Sequence, residues 1–154
     1  MSSGACGFWL RGHLLALDVA LTGEMVEVEQ VSPVPRSHPA VQGIFNLRGV
    51  PVALIDLAQV LGLKDSGEPQ LPGPRKVLVV RTQGVVAGFA IDRVDAVIPA
   101  HEGKLVAAPV EDASAVVLGV LEVGGERPRT LSVLAPDVLV ERLRALKPSS
   151  DGPA

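Results

Sequence analysis

The sequence is poor in cysteine, in aromatic residues and in net charge. Cys6 is its single cysteine, which excludes an internal disulfide framework and indicates a reducing compartment. Aromatic residues make up 3% of the chain and tyrosine is absent, so the core must be built from Val, Leu, Ile and Ala. The formal net charge of −3 provides no electrostatic footprint for nucleic acid, and we expect no nucleic-acid partner.

Long apolar runs are also missing. No uninterrupted run approaches the roughly 18 residues needed to span a bilayer, and no basic segment precedes an apolar stretch at the N-terminus. We therefore predict a cytoplasmic protein without a signal peptide or direct membrane insertion. A chain of 154 residues is long enough for one domain, or for two very small ones that share a core.

The residues that usually carry chemistry are scattered. The three histidines (His13, His38 and His101) lie far apart, without Cys or acidic neighbours at metal-binding spacing. Cys6 has no neighbouring base that would activate it as a nucleophile. Four aspartates, Asp18, Asp56, Asp92 and Asp95, lie at predicted strand ends or turns, where Asp commonly bonds its own backbone. We predict no catalytic residue, no metal site and no cofactor.

Residues 42–57 are the stretch around which the chain is organised. Two apolar runs flank the polar segment Asn46-Leu47-Arg48-Gly49, a pattern typical of two strands joined by a turn. Because the polar segment is wider than a bare Asn-Gly pair, we expect a bulged hairpin rather than a two-residue loop. The presence of Arg48 in this turn requires an explanation. A permanently charged guanidinium between two buried strands must have an ion-pair partner or a binding role.

The rest of the chain alternates between short strands and turns. Strands are predicted over residues 6–11, 13–20, 24–31, 76–81, 85–98, 115–123 and 129–134. Residues 56–61 favour one helical turn ended by Gly62, and residues 136–146 favour a helix with Pro136 in its first turn. Residues 64–75 have the composition of a linker, residues 99–115 that of a loop, and residues 148–154 that of a loose tail.

Two segments recur at nearly the same offset. Residues 16–19 resemble residues 90–94, and residues 42–49 resemble residues 118–125. We therefore predict a duplicated unit of about five strands, with each copy curled into a small barrel. The division would place residues 13–75 in one barrel, and residues 8–12 with 76–147 in the other. The second copy has Glu122 and Gly124 where the first has Asn46 and Arg48, so we infer that Arg48 serves a surface unique to the first copy.

The sequence resembles CheW-like coupling proteins of bacterial chemotaxis. The resemblance rests on residues 43–49, on residues 52–57, on residues 86–94 and on the segment Ala16-Leu17-Asp18. It extends from about residue 8 to the C-terminal helix. It implies an all-β fold with a C-terminal helix, in which two intertwined five-stranded SH3-like barrels form a single domain over residues 1–154.

The resemblance also implies a function without catalysis. Family members bridge the cytoplasmic tip of a chemoreceptor, a helical hairpin, to the regulatory domain of a CheA-type histidine kinase. In this chain the receptor contact would centre on Arg48 and Glu24, with Glu27 as the alternative to Glu24 if the register slips. The implied receptor-binding set is Glu24, Asn46, Leu47, Arg48, Gly49 and Val50.

Several departures from the family pattern leave alternatives open. The segment between Ile98 and Ala115 is shorter than in typical coupling proteins, and residues 64–75 are rich in Pro and Gly. Since family members contact the kinase through barrel ends and edges, these departures weaken the case for kinase binding more than for receptor binding. The alternatives are a variant that binds only the receptor, a small ligand-binding β-barrel, and a regulatory domain that pairs with another protein of the same fold.

Overall fold

The computed structural model describes residues 4–35, 38–63, 74–107 and 116–146, which form eleven strands and two helices. The strands are β1 (Gly4–Leu10), β2 (His13–Asp18), β3 (Thr22–Val28), β4 (Val41–Leu47), β5 (Val50–Ile55), β6 (Arg75–Thr82), β7 (Val85–Ile91), β8 (Arg93–Pro99), β9 (Gly103–Ala107), β10 (Val117–Val123) and β11 (Arg129–Leu134). The helices are α1 (Leu57–Leu61) and α2 (Pro136–Ala145). The predicted tail over residues 148–154 and most of the predicted linker lie outside the described residues.

The strands form two sheets. The five-stranded sheet has the order β3-β6-β7-β5-β4, and the six-stranded sheet has the order β8-β1-β2-β11-β10-β9. Neighbours are antiparallel except for β5 with β7 and β11 with β2, which are parallel. The predicted all-β fold with two barrel-like halves and a C-terminal helix is confirmed, although the second half has six strands rather than five.

Burial explains the two kinds of strand pattern. β3 alternates because its outer face meets solvent, whereas Val77 to Val80 of β6 are all buried. Val77 and Val79 face the interior of the five-stranded sheet, while Leu78 and Val80 face a larger core shared with the six-stranded sheet and α2. A third cluster, which includes Leu121 and Leu131, fills the interior of the six-stranded sheet. The shared core therefore joins the halves.

The repeat is present, but its copies are exchanged between the sheets. In each copy the first hairpin (β1–β2 or β6–β7) joins one sheet, and the next strand with the second hairpin (β3 with β4–β5, or β8 with β10–β11) joins the other. The predicted subdomain over residues 13–75 is therefore wrong, because β2 belongs to the six-stranded sheet, while β6 and β7 belong to the five-stranded one. The prediction grouped strands that are neighbours in the sequence. The two copies are instead joined by parallel pairs, β5 with β7 and β2 with β11, whose strands are far apart in the sequence.

Two further predictions are corrected. The single strand expected over residues 85–98 is two strands in different sheets, β7 and β8, because the chain changes sheets at Asp92, where the Asp92 N–H donates to the Trp9 carbonyl at 2.8 Å. Part of the loop expected over residues 99–115 is β9, which pairs with β10. The Pro99–Glu102 turn, in which the Glu102 N–H donates to Pro99 at 3.0 Å, returns the chain to form that strand.

Candidate functional site

The β4–β5 turn is a two-residue loop. Leu47 pairs with Val50, which leaves Arg48 and Gly49 as the loop, with φ of 50° and 87°. Two successive positive φ angles are the mark of a type I′ turn, whose twist matches that of the strands. The predicted bulged turn is wrong, because the Asn46 Oδ1 accepts the Gly49 N–H at 2.6 Å and holds the tight loop. The bulge in this hairpin lies at its other end, between Val41 and Gly43.

Arg48 forms a two-point ion pair with Glu24 across the edges of the sheet. The Arg48 Nη1 donates to the Glu24 Oε2 at 2.8 Å, and the Arg48 Nη2 donates to the Glu24 Oε1. This fork-to-fork geometry is available to Arg but not to Lys. Glu27, the alternative partner, lies opposite Lys76 three residues further along β3. The structure thus assigns the pairing to Glu24, the residue expected from the ungapped register.

The pair stays ionised at neutral pH. The hydrogen bond from Arg48, followed by the charges of Arg48 and Arg81, lowers the pKa of Glu24, and the bond to Glu24 raises the pKa of Arg48. Because the pKa of Glu24 is lowered on folding, the pair stabilises the fold above the unfolded-state pKa of Glu24. That contribution is lost as the pH falls through the lowered value. With side-chain exposures of 67% for Arg48 and 27% for Glu24, solvent screens the pair strongly.

The pair also helps to close the five-stranded sheet into a barrel. β3 and β4 are the two edge strands of this sheet, and Glu24 and Arg48 join them. At the middle of β4, Ser32 and Ile44 exchange two backbone hydrogen bonds of 2.8 Å. This second closure could not be predicted from the sequence, since an isolated bridge leaves no periodic signal. The contacts that join the two edge strands, and so cover the sheet edge, therefore also hold Arg48 in place.

The other residues of the predicted receptor-binding set have different positions. Val50 is exposed beside Arg48, while Asn46 is exposed and shapes the turn through its side chain. Gly49 supplies the positive φ that the second loop position requires. Leu47 is buried in the core of the five-stranded sheet, so its side chain supports the hairpin from inside. A receptor contact by Leu47 stays a prediction.

The six-stranded sheet has a corresponding ion pair that was not predicted from the sequence. Arg129, at the start of β11, bonds through its Nη1 to the Oδ2 of Asp95, which lies at the bulge in β8. β8 corresponds to β3 in the exchanged repeat, and Glu24 likewise lies beside a bulge. The side chains of Arg129 and Asp95 are 33% and 14% exposed, about half the values of the first pair. An acid–arginine pair is thus common to both halves, and greater exposure distinguishes Arg48.

Loss of the Asp95–Arg129 pair should cost stability. We expect Asp95→Ala to lower the free energy of unfolding by about 1.5 to 3 kcal/mol, because a half-buried guanidinium loses its charged acceptor. Chemical denaturation of the purified protein measures the change. The matched variant is Glu24→Ala, which removes the more exposed acid and should have the smaller effect. A larger loss with Glu24→Ala would contradict the distinction drawn from exposure.

The expected role of the aspartates in turns can be compared with their contacts. Asp18 accepts the Ala20 N–H through its Oδ1 at 3.0 Å, which is a local turn contact. Asp56 lies 3.4 Å from the Arg11 guanidinium at the start of α1. Among the described residues, no group of three or more His, Cys, Asp or Glu side chains is placed to hold a metal ion. The carboxylates of Asp18, Asp56 and Asp95 thus make turn or ion-pair contacts.

One cavity is located on the six-stranded sheet, away from Arg48. It has a volume of about 110 Å³ and is lined mainly by the ends of β1 and β8 and by β9, including Ile98, Pro99 and Leu105. Sites for small molecules usually measure roughly 300 to 1,000 Å³. This cavity is therefore smaller than a typical small-molecule site. No helix in the described ranges is long and apolar enough to cross a membrane.

Two curled sheets over one shared core, with an exposed and oriented arginine at the edge of one sheet, define a small all-β module. A model of the CheW-like domain matches residues 5–144. The chain is 34% identical over 105 residues to the chemotaxis protein CheW of Thermotoga maritima, which covers 68% of this chain and 67% of that protein. It is 22% identical over 135 residues to CheW of Bacillus subtilis, with coverages of 88% and 85%.

The chain belongs to the CheW-like domain family. The fold agrees with a solved structure, that of the scaffolding protein TtCheW from Thermoanaerobacter tengcongensis, with a TM-score of 0.68 and 24% identity over 86% of this chain and 88% of that one. Family membership confirms the predicted class of protein, a non-enzymatic chemotaxis adaptor or scaffold.

Proposed function

We propose that this chain binds the cytoplasmic tip of a chemoreceptor through the surface around Arg48, and couples that receptor to a CheA-type histidine kinase. The observation that supports the proposal is the two-point bond from Glu24, which holds the Arg48 guanidinium in one plane while two thirds of the side chain stays exposed. A guanidinium held in this way loses little conformational entropy when a partner binds.

The surroundings of Arg48 suit a helix with both apolar and polar residues. Val50 and Ile44 are large apolar side chains exposed on the same hairpin. Such side chains can contact the aliphatic residues of a helical receptor tip, while the guanidinium bonds a polar group at the rim. We name Glu24, Ile44, Asn46, Arg48 and Val50 the Arg48 surface. Contacts of this size are usually modest in affinity, and arrays of many copies increase them by avidity.

Kinase coupling forms the less supported half of the proposal. Residues 64–73 and 108–115, which include much of the departure from the family pattern, lie outside the described residues. A variant that binds receptor but not kinase would compete within the array. Pull-downs with the kinase regulatory domain test the coupling directly. Addition of the protein to a receptor–kinase assay should raise kinase output if it couples, and lower it if it binds the receptor alone.

Arg48→Ala tests the receptor half. We expect it to weaken binding of a purified receptor signalling fragment by about tenfold or more, since the guanidinium is exposed and oriented. The thermal midpoint should change little, because the Glu24–Arg48 pair is screened by solvent. Titration calorimetry and a thermal melt measure the two effects. Arg48→Lys keeps the charge without the planar fork and should recover only part of the affinity.

The matched control is Lys104→Ala, which removes one positive charge from the exposed edge of the six-stranded sheet. Its affinity for the receptor fragment should stay within about twofold of the original chain, because surface charges away from a contact alter binding weakly. A large loss of stability in Arg48→Ala with unaltered affinity would make the role of Arg48 purely structural. Failure of the unaltered chain to bind any receptor fragment would end the proposal.

A further inference from the structure

A second arginine lies at the Glu24–Arg48 pair. The Arg81 Nη2 is 3.7 Å from the Glu24 Oε1, beyond hydrogen-bond length but within ion-pair distance. Residues 77, 79 and 81 share one face of β6, and residues 24, 26 and 28 share one face of β3. Val77, Val79 and Val28 of these faces are buried inside the five-stranded sheet. Arg81 and Glu24 therefore continue the interior faces to the end of the barrel, where Arg48 meets them.

The position of Arg81 depends on Gly23. A Cβ added to Gly23 would lie 2.3 Å from the Arg81 Nη1, so the guanidinium occupies space that any side chain at residue 23 would take. Gly23 lies in the bulge between Thr22 and Glu24, and the Arg81 N–H donates to the Leu21 carbonyl at 2.9 Å. This backbone bond and the missing side chain together place the guanidinium against β3 beside Glu24.

The charges of this cluster do not cancel. Two guanidinium groups surround one carboxylate, which leaves one positive charge at the end of the barrel. Arg48 directs two donors to Glu24, whereas the Arg81 side chain is 46% exposed and its Nη2 is 3.7 Å from the Glu24 Oε1. A second carboxylate that approached this end would balance the charge and find donors from both arginines.

We propose that Arg81, placed over Gly23, forms with Arg48 a two-arginine site for a carboxylate side chain of the chemoreceptor's helical tip. This inference rests on the proposed receptor binding and specifies the chemistry of the contact. Arg48 orients the helix, and Arg81 selects a tip that carries Asp or Glu at the facing position. The ionised Glu24 holds the two guanidinium groups together and keeps them from repelling each other.

Titration calorimetry of a purified receptor signalling fragment against four variants tests the inference. Arg81→Ala should weaken binding about tenfold, and Arg81→Lys should weaken it less because the charge remains. Gly23→Ala should weaken binding as well, since its methyl group displaces the end of a flexible side chain while the fold persists. Lys104→Ala, matched in charge and located on the other sheet, should stay within about twofold of the original chain.

A double-mutant cycle identifies the partner group. Each Asp and Glu of the receptor tip is replaced in turn by Asn or Gln. One replacement should weaken binding to the original chain by about tenfold and have little further effect on Arg81→Ala, which indicates direct coupling. The affinity for the original chain should also fall with added salt more steeply than that for Arg81→Ala.

The outcomes separate the two proposals. If the unaltered chain binds the fragment and Arg81→Ala binds equally well, the two-arginine site is wrong while receptor binding stands. The site is also wrong if every acidic replacement in the tip weakens Arg81→Ala as much as the original chain. If the unaltered chain does not bind, both proposals are overturned. Thermal melts of all variants show whether any loss of affinity comes from unfolding.

Discussion

Phe89→Ala is expected to lower the free energy of unfolding by about 3 to 5 kcal/mol. Phe89 is fully buried in the core shared by both sheets and α2, where it is one of the largest side chains. Truncation removes its contacts with both sheets and leaves a cavity that the surrounding strands cannot fill. For a domain of this size, the thermal midpoint should fall by roughly 10 °C. Chemical and thermal denaturation measure the two quantities.

The control for this variant is Val86→Ala on the same strand. Val86 is exposed, so its truncation should cost less than about 1 kcal/mol, mainly through strand propensity. Similar losses in the two variants would mean that the sheets do not share a core at β7. In that case a purified fragment with one half of the chain would still unfold cooperatively. We expect that it does not, because each sheet contains strands from both copies of the repeat.

Gly43→Ala is expected to lower the free energy of unfolding by about 2 to 4 kcal/mol, from backbone strain together with overpacking. Gly43 has a φ of 152°, and a Cβ there would lie 2.5 Å from the Ser32 carbonyl oxygen and 2.4 Å from the Val31 Cγ1. Relief of the clash would separate β4 from the segment that closes the barrel, where Ser32 and Ile44 bond.

The same variant should also weaken receptor binding, since β4 carries the Arg48 turn. The control is Gly124→Ala in the β10–β11 connection, where an added Cβ meets no atom within 4 Å. We expect that control to change the free energy of unfolding by less than about 0.5 kcal/mol. Denaturation curves and receptor titrations of both variants provide the comparison. Equal behaviour of the two variants would contradict the close approach at Gly43.

Much of the fold could be predicted from local pattern. Alternation identified β3, the apolar runs identified β4, β5 and β11, and Gly62 marked the end of α1. The Glu24–Arg48 pair could be predicted only through the family resemblance, because 24 residues separate its members and no periodicity links them. The tight turn was missed since Arg is uncommon at positive φ, and the bond from Gly49 to Asn46 that supports it depends on folded geometry.

By itself, the sequence determined which segments form strands, that the chain repeats a five-strand pattern, and that it belongs with CheW-like proteins. Only the tertiary structure decided which strands share a sheet, because the parallel pairs β5–β7 and β2–β11 join residues distant along the chain. The same holds for Asp95 with Arg129 and for Arg81 over Gly23. These residues are brought together by the bulges in β3 and β8 and by the exchange of hairpins between the sheets. Residues far apart in the sequence can make such contacts only after the chain has folded.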